Sequence, residues 1–165
     1  MSPPAQKIRA LTVLTGGGAA VTLVPPPLPR ADALLVRPRA VGLNPTDWKS
    51  AEGGSRFGRD PAGCRLGCDY VGVVEQVGEA VSKGKGFAPG TRVAGFVHGG
   101  NQVCGEDGAF AELIVVKGDL QIVVPDNISD AEAATLGVGI TTVVSSSSLS
   151  LESSAIGGAC FVTRS

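Results

Sequence analysis

Apolar and polar positions along this chain fall into short runs broken by glycine and proline, a pattern that predicts strands more than helices. Lys7 to Leu14 is a β-rich run, Gly16-Gly17-Gly18 makes a turn, and Ala20 to Val24 resumes the strand, so an opening hairpin or meander is expected. Pro25-Pro26-Pro27-Leu28-Pro29 follows as an extended connector, because proline brings no N–H to a sheet ladder. Such a run also suits a proline-recognition ligand; the flanking strands favour a rigid link. Leu34 to Val41 reads as a buried strand. It stops at Gly42, turns at Asn44-Pro45, and enters a short polar segment that suits a helix start, with Pro45 where a missing N–H costs nothing. Ala51 to Gly63 has no period and reads as a long surface loop.

Further strands are expected downstream. Gly67 to Gly78 is studded with glycines, which mark a bulge or a close approach of another backbone. Phe87 to Phe96 passes a Pro-Gly turn into a strand, Gly108 to Val116 is another, and Leu120 to Val124 is closed by Pro125. Ser129-Asp130-Ala131-Glu132 matches a capping box, which predicts a helix continuing through Ala133-Ala134-Thr135-Leu136 and weakened by Gly137 and Gly139. Ser145 to Ser148 is a serine tract, and Leu149 to Ser165 shows no sustained period. Residues 144–165 therefore read as a low-complexity or disordered tail. These elements predict a mainly β fold, barrel-like or sandwich, with a short capped helix at its end.

Composition narrows the picture. The 165 residues suit one core, with 24 glycines and 11 prolines in keeping with many strands and turns. The formal net charge is −1, and Lys and Arg are spread along the chain, which gives no electrostatic case for nucleic acid or an anionic membrane surface. No apolar run reaches the roughly 20 residues that span a bilayer, and Met1 to Arg9 lacks the apolar core of a secretory leader. Cys64, Cys68, Cys104 and Cys160 are too irregular for a disulfide framework, so a cytoplasmic location is expected.

Candidate chemistry gathers after the Leu34–Val41 strand. Asp47 and Lys49 suit an acid–base or anion-binding pair; equally, Asp47 suits a first-turn residue complementing the helix dipole, with Lys49 solvated. Cys64, Cys68, His98 and Cys104 carry the right atoms for zinc, but no C-x-x-C pair is present and buried or idle cysteines are favoured, so no metal is expected. The glycine runs at 16–18 and 53–54 lack phosphate-loop spacing, and Gly137-Val138-Gly139 lacks its third glycine. One histidine supports no Ser–His–Asp triad.

Taken as a set, Val41-Gly42-Leu43-Asn44-Pro45-Thr46-Asp47, Gly67-Cys68-Asp69-Tyr70-Val71-Gly72-Val73-Val74, Pro89-Gly90-Thr91-Arg92-Val93, Gly108-Ala109-Phe110-Ala111-Glu112 and Ala133-Ala134-Thr135-Leu136 resemble the N-terminal, GroES-like half of the medium-chain dehydrogenase/reductase superfamily. The resemblance covers residues 7–143 and implies a partly open GroES-like β-barrel. Zinc alcohol dehydrogenases of that superfamily carry Cys where this chain has Asn44, and His where it has Cys68, so the resemblance is to the zinc-free branch. Asn44 to Lys49 together with Leu136 to Thr142 look most like the fungal trans-acting enoyl reductases that serve polyketide synthases; quinone reductases are the alternative enzymes.

The resemblance implies NADPH as cofactor and an enoyl thioester, carrier-bound and delivered by a polyketide synthase, as substrate. Thr46, Asp47, Trp48 and Lys49 would lie beside the nicotinamide end, with Lys49 as the catalytic candidate. Thr135, Leu136, Gly137, Val138, Gly139, Ile140, Thr141 and Thr142 would line the acyl pocket. The family also has a Rossmann half, and nothing after Val143 resembles it. Three alternatives stay open: an oxidoreductase half completed by other polypeptide, a non-catalytic binding module, and a truncated product without function.

Overall fold

The computed structural model describes residues 6–52, 60–81 and 83–155. Strands β1 (Ile8–Val13) and β2 (Ala19–Val24) form an antiparallel hairpin, with Ile8 opposite Val24 and Val13 opposite Ala19. Its turn uses Gly16, Gly17 and Gly18, all at positive φ, as the sequence predicts. β3 (Ala33–Gly42) and β4 (Asp69–Val77) form the antiparallel centre of a five-stranded sheet completed by β5 (Arg92–Phe96), β6 (Ile114–Lys117) and β7 (Gln121–Val123). The strand order is β6-β3-β4-β5-β7. Bridges Ala10↔Ala111 and Thr12↔Arg65 join the hairpin to segments that flank this sheet, and the whole is a curled, partly open GroES-like barrel.

Pro38 sits inside the long strand β3. Its missing N–H is tolerated because the register shifts between Pro38 and Ala40, and because β6 pairs only with Ala33 to Val36. Gly72 opposite Pro38 answers to close approach: a Cβ there would lie 2.5 Å from the Arg37 carbonyl oxygen. The core lies under the sheet, with Leu34, Val36, Tyr70, Val74, Val93, Ile114 and Val116 buried together. At its floor the Tyr70 hydroxyl donates to Gln121 Oε1 at 2.7 Å, and Gln121 Nε2 donates to the Lys117 carbonyl. This satisfies a buried phenol that apolar packing alone would strand.

Among the described residues three α-helices accompany the sheet. α1 (Pro45–Ala51) starts where Pro45 was expected to start it. α2 (Asp130–Ala133) is capped by Ser129, whose side chain accepts from the Glu132 N–H while the Glu132 carboxylate accepts from the Ser129 N–H. The helix expected to run through Leu136 breaks after Ala134, and a separate α3 spans Leu136–Ala155. The tail expected from residue 144 thus begins as helix. Hydroxyls of Thr141 and Ser146 donate to carbonyls one turn back, which satisfies backbone groups across a polar stretch. The expected strand from Gly108 is shorter: regular pairing begins at Ile114. Before it, the Ala109 and Phe110 N–H groups donate to Gly67 and Leu66 carbonyls, so these groups serve a crossing and not a ladder. The loop expected from Ala51 lies partly outside the described residues.

Candidate functional site

The β3 strand delivers α1 to the mouth of the sheet, beside the head of β4. Asn44 caps α1 in extended conformation, and Asp47 reaches back so that its Oδ2 accepts from the Asn44 N–H at 2.7 Å. The Asn44 side-chain amide points elsewhere, donating to Asp69 Oδ2 at 2.9 Å. The other oxygen of Asp69 accepts from the Val138 N–H at 2.7 Å. Asp69 is 2% exposed, so one buried carboxylate ties the cap of α1 to the first turn of α3. Space for it is set by glycines: a Cβ on Gly137 would lie 2.5 Å from Asp69 Oδ1, and one on Gly42 would lie 2.5 Å from the Ala134 carbonyl oxygen.

The predicted residues divide. Thr46, Lys49 and Ser50 of α1 form one wall of a cleft of about 350 Å³, with Cys68 and Val138 deeper and His98, Gly99, Gly100, Asn101, Gln102 and Val103 opposite. Asp47 is buried in the cap and does not line it, and neither does the exposed Trp48. The Lys49 ammonium sits 5.6 Å from the centre of the Trp48 ring, within cation–π range. From the second predicted patch only Val138 reaches the cleft. Leu136, Gly137, Ile140 and Thr141 instead edge a depression of about 110 Å³ against β5 and β7. Thr135 bonds back to the Glu132 carbonyl, and Gly139 and Thr142 are exposed.

Burial raises the Asp47 pKa; the Asn44 N–H and the Cys68 thiol oppose the shift, and the Asp69 charge adds to it. Burial also raises the Cys68 thiol, partly offset by the Gly99 N–H and the Thr46 hydroxyl, whose oxygen lies 3.8 Å from the sulfur. The cleft floor therefore carries a protonated thiol, not a thiolate. Cys64 and Cys104 lie outside the cleft lining: the Cys64 thiol donates to the Asn101 carbonyl, and Cys104 accepts from Arg30. Among the described residues no three His, Cys, Asp or Glu side chains gather around one point. A broader groove of about 520 Å³ between β1 and Pro38–Val41 contains none of the predicted site residues.

Sequence reasoning gave Asp69 no role, although it stands as a lone charge at the head of an apolar strand. A charge there needs buried partners, and that was its signal. In the loop from His98 to Val103 the sequence points only to His98, as a metal ligand or triad member; the loop's part in the cleft wall comes from the tertiary fold.

A curled five-stranded sheet, with a cleft between the helix after its long strand and a glycine-bearing loop, defines a GroES-like β-domain of the medium-chain dehydrogenase/reductase type. The profile of the alcohol dehydrogenase GroES-like domain matches residues 30–126, and the chain belongs to that family. The trans-enoyl reductase resD of Aspergillus sclerotiorum is 54% identical over 133 residues, covering 79% of this chain and 35% of that protein. The trans-enoyl reductase TOXD of Cochliobolus carbonum is 55% identical over 114 residues, covering 69% and 36%. A mycobacterial structure complexed with NADPH superposes with a TM-score of 0.62 at 26% identity, over 77% of this chain and 37% of that one. The chain thus spans roughly a third of the length of the relatives it matches. No helix among the described residues is long and apolar enough to cross a membrane.

Proposed function

We propose that this chain is the substrate-side part of an NADPH-dependent oxidoreductase of the trans-enoyl reductase type. In this reading it acts on an enoyl thioester carried by a polyketide synthase. The observation that carries it is the identity of 54% over 133 residues and 55% over 114 residues to two trans-enoyl reductases. The cleft supports it physically. A volume of about 350 Å³ suits one ring-bearing end of a cofactor beside a small acyl group, not a whole dinucleotide. Thr46 and Lys49 face that space with a hydroxyl and an ammonium, a donor set suited to a nicotinamide carboxamide and a thioester oxygen.

NADPH, when bound, supplies a hydride to the β-carbon of the enoyl thioester. Lys49 then donates a hydrogen bond to, and offsets the charge on, the thioester oxygen as electrons move onto it. Protonation at the α-carbon completes the reduction. Thr46 orients the ring end, and Val138 with Phe96 presents an apolar floor to the acyl chain. Asp47 contributes by holding the cap of α1, which fixes where Lys49 emerges. Trp48 contributes beside Lys49, and residues 135–142 contribute to the acyl side through Val138 and the α3 face next to it. The structural domain spans residues 7–143 in this proposal, and the site of action is the cytoplasm.

Backbone-amide NMR of the chain titrated with NADPH and a 2-enoyl pantetheine thioester tests it. Saturable shifts at Thr46 to Ser50, Gly99 to Val103 and Val138 support the reading. Shifts confined to other residues contradict it. A second reading, a binding module without catalysis, is favoured by the exposed apolar face of α3, where Leu136, Ile140, Val143 and Val144 stand out. Capture of a polyketide synthase without cofactor binding would select that reading instead.

A further inference from the structure

The proline-rich connector has so far had no task. Between β2 and β3 it meets the cleft loop and its support at three points. The Pro25 carbonyl accepts from Arg65 Nη2 at 2.8 Å, the Leu28 N–H donates to Glu106 Oε2 at 3.3 Å, and Arg30 Nη2 pairs with Asp107 Oδ1 at 2.9 Å. From Asp107 the contacts run inward. Asp107 Oδ2 accepts from Asn101 Nδ2 at 3.0 Å, and Asn101 Oδ1 accepts from the N–H groups of Val103 and Cys104. Arg65, 4% exposed, receives the Gly100 N–H on its own carbonyl and donates its N–H to the Gly105 carbonyl. Gly99 then packs on Gly67, where a Cβ would lie 2.3 Å from the Gly67 carbonyl oxygen, directly before Cys68 on the cleft floor.

We propose that Arg30 is a positioning residue: through Asp107 and Asn101 it holds the Gly99–Val103 wall of the cleft at its distance from α1. Chain around a backbone with two neighbouring glycines is soft, so a wall built on Gly99-Gly100 needs external support. The Asp107 side chain is 13% exposed and that of Arg30 37%, so their half-buried pair is screened somewhat less than a fully exposed ion pair. Proline also fixes the connector that presents Arg30, so little entropy is lost in placing it. The support reaches the wall from a segment remote in sequence, and the cleft is thereby shaped by a residue that does not touch its occupant. The importance of that wall rests on the cleft being the functional site. The test reads the wall itself, so it fails independently of any ligand.

The test is site-resolved alkylation of the native chain by iodoacetamide, followed by peptide mass spectrometry, with hydrogen exchange of the β3–β5 amides recorded in parallel. Arg30→Met is expected to raise the Cys68 alkylation rate about tenfold by easing local opening, while β3–β5 protection stays at the native level. Asp107→Asn, which keeps the shape and one acceptor, is expected to give a smaller rise, and it carries the test if Arg30→Met does not fold. Arg30→Lys, which keeps a donor for Asp107 and leaves Asp107 to accept from Asn101, is expected to keep the rate near the native one. An unchanged Cys68 rate in the folded Arg30→Met and Asp107→Asn variants would overturn the proposal. So would a rise matched by equal loss of protection throughout β3–β5, or a rise in Arg30→Lys as large as that in Arg30→Met.

Discussion

The sheet and helix α3 solve the same problem differently. In the sheet, apolar residues are covered by the chain itself: Leu34, Val36, Val93, Ile114 and Val116 have no exposed surface. Along α3 they are not: Leu136, Ile140, Val143 and Val144 remain 39% to 65% exposed, and the edge strand β7 beside it leaves Ile122 and Val123 exposed as well. Yet α3 is not loosely attached at its start, because Asp69 holds the Val138 N–H and Gly137 lets the helix approach. The difference teaches where this chain is self-sufficient. It builds both walls and the floor of the cleft itself, and it presents the α3 face uncovered. Exposed apolar area of this extent marks a surface suited to a partner.

That contrast sets the order of expected effects. Tyr70→Ala, in the middle of the self-covered core, is expected to cost about 3–5 kcal/mol by leaving a cavity and stripping Gln121 of its partner. Denaturant unfolding of the chain measures it, and a loss below about 1 kcal/mol would break the contrast. Gly137→Ala, at the seam between the regions, is expected to cost about 1–3 kcal/mol, because the new Cβ meets Asp69 Oδ1 and the Gly95 carbonyl oxygen. Its hydrogen-exchange signature should be faster exchange of the Val138 amide with the sheet unaffected. Ser129→Ala removes the α2 cap and is expected to cost about 1 kcal/mol in the same unfolding experiment.

Acid should act through Asp47 in one direction. Its folded-state pKa is raised, chiefly by burial, so between the ordinary and the raised value the folded state binds more protons than the unfolded one. Stability from this group is therefore full below the ordinary value and falls as pH rises through the raised one. Compared with Asp47→Asn, which keeps an acceptor for the Asn44 N–H but does not ionise, the native chain should lose relative stability across that window and run parallel above it. Equal slopes throughout would remove the argument for a desolvated cap. Ile140→Ser, on the uncovered face, should change stability of the isolated chain by no more than about 0.5 kcal/mol. A larger loss would mean that α3 covers itself after all.

How much of this was legible before the fold was known follows the same division. β1 to β4 and the α1 start could be located because alternation, Pro45 and the glycine turns act locally. The expectation of a zinc-free branch rests on Asn44 and Cys68 through family likeness alone. What was not legible is tertiary. Nothing in Ala133-Ala134-Thr135-Leu136 announces a break that a carboxylate 69 residues earlier than Val138 stabilises. The 108–113 stretch looks like strand because its side chains fit one, yet the N–H groups of Ala109, Phe110 and Glu112 are taken by the Gly67, Leu66 and Arg9 carbonyls. The site was half legible for the same reason: Thr46 and Lys49 are placed by a local cap, whereas the opposite wall is brought by a loop some fifty residues on, held by Asp107 and Arg30.

In the proposed function the α1 wall receives the reacting end of a nicotinamide cofactor. Trp48 is the sole tryptophan in the chain and stands beside Lys49, so its emission reports on that wall alone. Titrating the chain with NADPH while following Trp48 fluorescence should give saturable quenching, with the apparent Kd weakened about tenfold or more in Lys49→Met. Quenching that stays linear to millimolar cofactor, or a Kd that Lys49→Met leaves unchanged, would contradict the account.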